Sequence, residues 1–556
     1  MNSAADSSAH QKFRACRDFL LEHRSDHDEA YRNFHWPELT TFNWARDWFD
    51  IVAHDNHRMA LRVIGPASDV SMSFDSLVRR SDQVAAWLHE LGISRGEVVL
   101  VLLDNSPELW EVMLAVMKLG AVVLPTYTTA TTPELTERVL RAQARHLIVE
   151  SSLTSRIPHE LGYSAMISVG PPAGSWENSD NSREFSGNMP DLAPTRADDP
   201  LFYYFTSGTT SRPKLVCHTQ VSYPVGHLSS MYWNGVQPGD VHCNVAAPGW
   251  AKHAWSSLFV PWNAEATLVA LAGTVTPDRV LEALERTQAT TFCAPPSMWR
   301  ALVRNDLDGC NIRLREATSA GEALPQEVVS AVSASWGVTV RNGYGQTETT
   351  AQLGVTPGSV AAATSLGRPL PGYRMALCPP GSDEPALEGE VCVDLAEPPA
   401  GLMSGYLDDL DATVATAGGR YYRTGDLAQW RDGELLYLGR IDDVFKAADH
   451  RISPAELESV LGAHAAVAEA AIVPVPNRAG GLKVKAYVVL DAGWNGTAAT
   501  AVSIFDHLQA ELPREKHVGC IEFLDSLPRT SSGKIRRKAL QDSLDAAAVE
   551  FFSPQR

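Results

Sequence analysis

Long apolar runs are missing from this chain of 556 residues, and so is any excess of positive charge. No stretch reaches the roughly 18 to 20 apolar residues that a membrane-spanning helix needs, and the polar opening Met1–His10 lacks the apolar segment that directs export. Membrane insertion is therefore not expected. Basic residues are in the minority: 47 Lys and Arg against 66 Asp and Glu leave a formal net charge of −19, which argues against a nucleic-acid-binding surface. An anionic ligand would have to be met by locally gathered Lys and Arg. Eight cysteines are scattered from Cys16 to Cys520 without a Cys-x-x-Cys pair, so neither a zinc cluster nor a disulfide framework is indicated, and a reducing cytoplasm is the expected compartment. No internal repeat is visible. What remains, at 44% hydrophobic and 20% charged residues, is a chain able to bury a substantial core and long enough for more than one domain.

Periodicity gives the outline. Phe74, Leu77, Val78, Val84, Ala85, Leu88 and Leu91 recur at helical spacing, with Ser73 placed to cap and Gly92 to stop. The apolar run Val98–Leu103, a helical pattern Pro107–Leu119, the run Ala121–Pro125, a helix near Pro133–Ala144 and the run His146–Val149 follow. Strand, helix, strand, helix, strand implies a parallel sheet with crossover helices. Gly170–Pro200, rich in Pro, Gly, Ser, Asn and Asp, reads as a long surface connection. After Gly439-Arg-Ile-Asp-Asp443 comes a compact alternation: helix Pro454–Leu461, runs Ala470–Val475 and Lys485–Leu490, helix Ile504–Leu512. The expected fold is α/β: a large multi-sheet N-terminal domain with parallel βαβ units, residues 1–439, and a small mobile α+β C-terminal domain, residues 440–556.

The most informative segment is Thr206-Ser-Gly-Thr-Thr-Ser-Arg-Pro-Lys214, directly after the apolar run Leu201–Phe205. The hydroxyls of Thr206, Ser207, Thr209, Thr210 and Ser211, a permissive Gly208 and Lys214 in one turn suit phosphate oxygens. The terminal Gly-Lys-Ser/Thr triplet of a Walker loop is absent. Taken alone, such a turn is more often an ordinary connection.

The segment resembles the phosphate loop of the adenylate-forming superfamily, which includes acyl-CoA synthetases, luciferases and peptide-synthetase adenylation domains. Five further segments match that superfamily in order and approximate spacing, from about Phe42 to Leu540. Ala247-Pro-Gly-Trp250, Ala294-Pro-Pro296 and the C-terminal pattern are most similar to medium-chain and aromatic acyl-CoA synthetases.

The resemblance implies a role for each segment. Ala320-Gly-Glu-Ala-Leu-Pro325 would be the adenine-side loop, with Gly321, Glu322 and Ala323 near the base; a helix start near Pro325 is its plainer reading. In Gly343-Tyr344-Gly-Gln-Thr-Glu348 the tyrosine would stack on adenine, Thr347 meet a phosphate and Glu348 hold magnesium, roles that aromatic faces and a single carboxylate suit. Tyr422-Arg-Thr-Gly-Asp426 would be the ribose clamp, because an ionised carboxylate only accepts hydrogen bonds and so matches a diol. Arg440 would lie near the nucleotide and Asp442 at the domain hinge. In Pro528-Arg-Thr-Ser-Ser-Gly-Lys534-Ile-Arg-Arg537, Lys534 would reach the α-phosphate and the substrate carboxylate. Lys446, Asp449, His450 and Arg451 would border a tunnel for the pantetheine thiol, and Trp250, His253, Trp255, Pro296 and Trp299 fall in segments that line the acyl pocket, although buried tryptophans are more often core.

The activity so implied is ATP-dependent ligation of a carboxylic acid to CoA through an acyl-adenylate, with ATP, magnesium and CoA required and a hydrophobic acid, aromatic or polycyclic ones in its range, as substrate. Two positions depart from the family pattern: Ser211 stands at a glycine of the phosphate turn and Asp449 at a glycine of the tunnel motif. Serine there costs roughly 1 kcal/mol or more if the turn needs a positive φ, and a carboxylate beside the tunnel disfavours a thiolate. An enzyme that performs one half-reaction only, and a non-catalytic nucleotide or acyl binder, therefore stay open. The acid, the oligomeric state and the pathway are not written in these residues.

Overall fold

The structure is a computed structural model that describes residues 8–206, 213–322, 324–362, 365–431, 434–447, 450–476, 482–529, 535–542 and 550–553. Ser207, Gly208, Thr209, Thr210, Ser211, Ala323, Asp449, Lys534 and the side chain of Arg451 lie outside the described residues.

Val98–Leu102 shows why the chain builds layers. All five residues of this Val-Val-Leu-Val-Leu strand are buried, so both of its faces must be covered. Val99 and Val101 enter the largest hydrophobic cluster, whereas Val98, Leu100 and Leu102 enter another with Leu135 and Val139 of the helix Thr132–Ala142. In the second large sheet, strand Thr267–Leu271 divides the same way. Leu268 and Ala270 join the largest cluster, while Val269 and Leu271 pack with Val280 and Leu284 of helix Pro277–Thr287. Two sheets thus share one helical filling and carry separate helices on their outer faces. The shared filling contains helices Phe74–Glu90, Pro107–Lys118 and His227–Asn234, together with the buried Trp44, Trp48, Trp110, Trp233 and Trp262.

Among the described residues, one of these sheets has nine strands and the other eight. In the nine-stranded sheet six consecutive strands run parallel, Val340–Gln346, Glu316–Ala320, Thr291–Ala294, Val241–Asn244, Thr267–Leu271 and Met59–Ile64. In the eight-stranded sheet Pro200–Thr206 lies parallel to Val122–Pro125 and antiparallel to Lys214–Thr219. Four antiparallel strands between Met375 and Arg440 form a further sheet. Beyond it, Phe445–Ala447 pairs with His450–Ile452, and strands Val467–Pro476, Leu482–Leu490, Cys520–Phe523 and Glu550–Phe552 pack with helices Pro454–Gly462 and Ala498–Glu511. The architecture is the α/β one expected, with a small α+β unit at the C-terminal end.

Local chemistry sets the element ends. Ser73 accepts a hydrogen bond from the Ser76 amide at 3.1 Å and starts the helix Phe74–Glu90, as its spacing predicts. Two expectations need correction. The helix expected from Ile504 begins at Ala498, where Thr497 caps it by accepting from the Thr500 amide; its first turn is made of small residues that carry no apolar period. The stretch Gly170–Pro200 is more than a surface connection. It contributes the edge strand Glu177–Asn178 and the short helix Asn181–Glu184, and it buries Trp176 and Thr195. Arg80 holds Ser182 at 3.0 Å and Gln83 holds the Arg183 carbonyl at 2.9 Å, contacts with a distant helix that no local pattern announces.

Candidate active site

The site gathers where strand ends of both large sheets meet the sheet Met375–Arg440. Thr206 and Lys214 are cross-strand partners in the antiparallel pair on either side of residues 207–213. The Lys214 ammonium sits 4.5 Å from the centroid of the Tyr406 ring, whose hydroxyl donates to Glu348 Oε1 at 3.0 Å. Burial and the Glu348 carboxylate both push the Tyr406 phenol well above its ordinary value, so it remains a donor. The Thr347–Glu348 backbone is fixed as well. His218 contacts the Thr347 carbonyl at 2.6 Å and Ser222 Oγ at 2.9 Å, and the Met403 amide donates to the Glu348 carbonyl at 2.8 Å. Burial lowers His218 to about 4, so the ring is neutral near pH 7, with Nε2–H donating to Thr347 and Nδ1 accepting from Ser222.

Two residues before Glu348 the same segment reaches the other half of the site. Gln346 Nε2 donates to Asp426 Oδ2 at 2.7 Å and to the Thr424 carbonyl at 2.8 Å, and its Oε1 accepts from Tyr422 at 3.0 Å. Asp426 is buried, and it also accepts from the Tyr344 hydroxyl at 2.6 Å, from the Tyr437 hydroxyl at 3.0 Å and from Arg440 at 3.3 Å. Burial first, then the Asp426 carboxylate, raise both phenols. Cross-strand pairing places Asp426 opposite Arg440. Gly425 makes this possible: its φ of +72° is left-handed, and a β-carbon there would sit 2.8 Å from the Arg440 guanidinium. The expected diol acceptor thus already serves four protein donors, three of them on Oδ2, which leaves Oδ1 the less occupied oxygen.

Gly321 has φ +109° with open space where a side chain would point, and the neighbouring Glu322 pairs with Arg300 at 3.3 Å. Gly343 has no such freedom. The indole of Trp233 is packed against it, so that an added β-carbon would meet Trp233 Cε2 at 2.2 Å. We expect Gly343→Ala to lower stability by about 1–3 kcal/mol through overpacking and to displace Tyr344. Thermal unfolding and AMP affinity measure both effects; native values for each would refute the packing argument.

The pocket candidates separate into two groups. Trp250 stacks on Tyr127 at 4.8 Å and 5°, and Trp255, half-buried, lies 6.1 Å from both His227 and Trp233. Pro296 is buried at the start of helix Pro296–Leu302. His253, by contrast, is an interior residue bonded to Asn105 at 2.9 Å, its pKa lowered by burial to about 3. Trp299 is core too, donating to the Thr318 carbonyl at 3.1 Å and packing edge-on against Phe292. Further along the chain, Arg440 reaches Asp442 at 3.7 Å, and Lys446 and His450 are exposed on the two-stranded ribbon. Arg529 and Ile535 form an antiparallel bridge around residues 530–534.

Sequence reasoning missed Tyr406, Gln346, Tyr437 and His218. Gln346 lay inside a motif already singled out. The other three come from separate strands and carry no local signature.

Lys214, Tyr406 and Glu348, joined through the segment Tyr344–Glu348 to the buried Asp426, form one polar site. The sequence profile of the AMP-binding enzymes matches residues 49–407, and that of the AMP-binding enzyme C-terminal domain matches residues 456–534. Over 518 residues, 91% of either chain, the protein is 37% identical to 4-hydroxybutyrate–CoA ligase 1 of Metallosphaera sedula. It is 30% identical over 535 residues to the human mitochondrial acyl-coenzyme A synthetase ACSM3, covering 90% of this chain and 89% of the relative. Among solved structures, the anthranilate CoA ligase AuaEII in complex with anthranoyl-AMP superposes with a TM-score of 0.82 at 26% identity, covering 91% of this chain and 98% of that one. A benzoate CoA ligase from Burkholderia xenovorans LB400 gives 0.79 at 26% identity, covering 90% and 100%. The chain belongs to the AMP-binding enzyme family. Within it, this is an acyl-CoA ligase of the AMP-forming type, with ATP and CoA as substrates.

Proposed function

We propose that the protein joins a hydrophobic carboxylic acid, with aromatic and polycyclic acids in its range, to CoA, and that residues 206–214, Thr347, Glu348, Asp426 and Lys534 divide the work. The observation that carries this reading is the linkage of Lys214 to Glu348 through Tyr406, and of Tyr344, Gln346 and Arg440 to Asp426, in one continuous site. Relatives named for benzoate, anthranilate and 4-hydroxybutyrate support a small or aromatic acid. The eight cysteines, all unpaired, suit a reducing cytoplasm.

In the first half-reaction a carboxylate oxygen of the acid bonds to the α-phosphorus of ATP while the bond to the β-phosphate oxygen breaks. Pyrophosphate leaves in the grip of the turn at 206–214, and Lys534 spreads the negative charge that develops on the α-phosphate. Asp426 holds the ribose hydroxyls and Tyr344 the adenine. Magnesium fits at Glu348. Oε1 is occupied by Tyr406, no donor among the described residues is bonded to Oε2, and one carboxylate beside phosphate oxygens is what this hard cation takes; bound there it would neutralise phosphate charge.

In the second half-reaction residues 440–556 turn about Asp442, withdraw Lys534 and bring Phe445–Ser453 to the site, with Lys446, Asp449, His450 and Arg451 along the path of the thiol. The thiol gives up its proton to solvent as its sulfur bonds to the acyl carbon, and AMP leaves with the electrons of the carbon–oxygen bond.

Ser211 and Asp449 favour a second reading, an enzyme of one half-reaction. Two assays run separately decide: acid with ATP, read as pyrophosphate, and synthetic acyl-AMP with CoA, read as thioester. Product is expected in both. Product in only one establishes the half-enzyme, and none in either leaves a binder.

A further inference from the structure

The wall around Trp255 is not wholly apolar. Gly249, at φ +91°, is pressed so closely on the chain at Thr126–Tyr127 that an added β-carbon would lie 2.2 Å from the Tyr127 amide nitrogen. That contact and the Trp250–Tyr127 stack fix the direction of the short helix Ala251–Ala254. Lys252 on this helix is half-buried, and its ammonium donates to the Ala320 carbonyl at 3.3 Å. Ala320 ends the strand Glu316–Ala320, and Gly321, with open space at its side-chain position, follows it. Among the described residues no carboxylate pairs with Lys252. That one neutral carbonyl leaves two N–H groups of the ammonium without a partner among the described residues, at a site where water is partly excluded.

Three residues further on, Trp255 is half-buried beside Trp233, which itself lies against Gly343. Parallel to Trp255 lies His227, fully buried, with Nδ1 bonded to Ser230 at 2.9 Å and Nε2 without a partner. A buried nitrogen left unpaired is unfavourable, so this wall holds a second hydrogen-bonding group that no described residue satisfies. Its remaining surroundings, Tyr223 and Phe259, are aromatic.

We propose that Lys252 is a specificity-determining residue that selects acids carrying an oxygen acceptor, a hydroxyl or a second carboxylate, besides the reacting carboxyl. This rests on the acyl site proposed above and refines it: aromatic walls take the body of the acid, and a cation takes its second oxygen group. A site built to hydrogen-bond a substrate discriminates strongly against an analogue that lacks the group, because its own polar atoms are then left unpaired.

Calorimetric titration with non-hydrolysable acyl-sulfamoyl-adenosines of matched chain length, ending in methyl, hydroxyl or carboxylate, tests this apart from turnover. The native protein is expected to bind at least one oxygen-ended analogue about tenfold or more tightly than its methyl partner. Lys252→Met should abolish that ratio while still binding the nucleotide portion, and Lys252→Arg should retain it. Should Lys252→Met unfold, as its melting curve would show, Lys252→Gln takes its place. Equal affinity for methyl-ended and oxygen-ended analogues in the native protein, or an unchanged ratio in Lys252→Met or Lys252→Gln, overturns the proposal. If no analogue binds at all, the adenylate reading itself has failed, and this inference falls with it.

Discussion

Replacing Lys534 by alanine is expected to slow adenylate formation by about a hundredfold to a thousandfold, while thioester formation from supplied acyl-AMP continues near the native rate. The asymmetry follows from charge. Attack on the α-phosphorus crowds negative charge onto phosphate oxygens that an ammonium can offset, whereas thiolysis of the adenylate needs that group out of the way. Stopped-time assays of pyrophosphate release and of thioester formation measure the two steps independently. Equal loss in both would contradict the assigned role and point instead to a structural lysine. Arg529 and Ile535, on either side of Lys534 in sequence, pair through their backbones, a pairing that the alanine variant leaves available.

The second large effect is expected at Asp426. Asp426→Ala removes the acceptor of Tyr344, Gln346, Tyr437 and Arg440 at once. Each buried donor left unpaired costs roughly 1–3 kcal/mol before relaxation or water entry, so a clear fall in the unfolding midpoint is expected. The same change takes away the proposed ribose acceptor. Charge-assisted hydrogen bonds of about 1.5–3 kcal/mol correspond to a rise in KM for ATP of roughly tenfold to hundredfold. Steady-state kinetics with ATP varied will show it. A variant that is less stable but has the native KM would mean that Asp426 holds Tyr344 and Arg440 in place without touching the nucleotide.

Much of this site was legible one motif at a time. The turn between Thr206 and Lys214, the segment Tyr344–Glu348 and the position of Asp426 each announce a chemistry through residue type, and the strand-helix alternation between Val98 and Val149 announces a parallel sheet. Their partners were not legible. Tyr406 reaches Glu348 from 58 residues away, and His218 reaches Thr347 across 129. A lone tyrosine or histidine on an otherwise apolar strand has no pattern to distinguish it. His253 and Trp299, read from aromatic character in the right segment, are placed by packing in the interior, bonded to Asn105 and to the Thr318 carbonyl.

By itself the sequence determined the layer architecture, the order of the motifs and the family to which the chain belongs, because hydrophobic period and local turn chemistry act over a few residues. Only the tertiary structure decided that Asp426 accepts from four donors, that Trp233 closes the space beside Gly343, and that Lys252 ends against the Ala320 carbonyl. Those are relations between atoms distant along the chain, set by how sheets and helices pack, and no local pattern contains them.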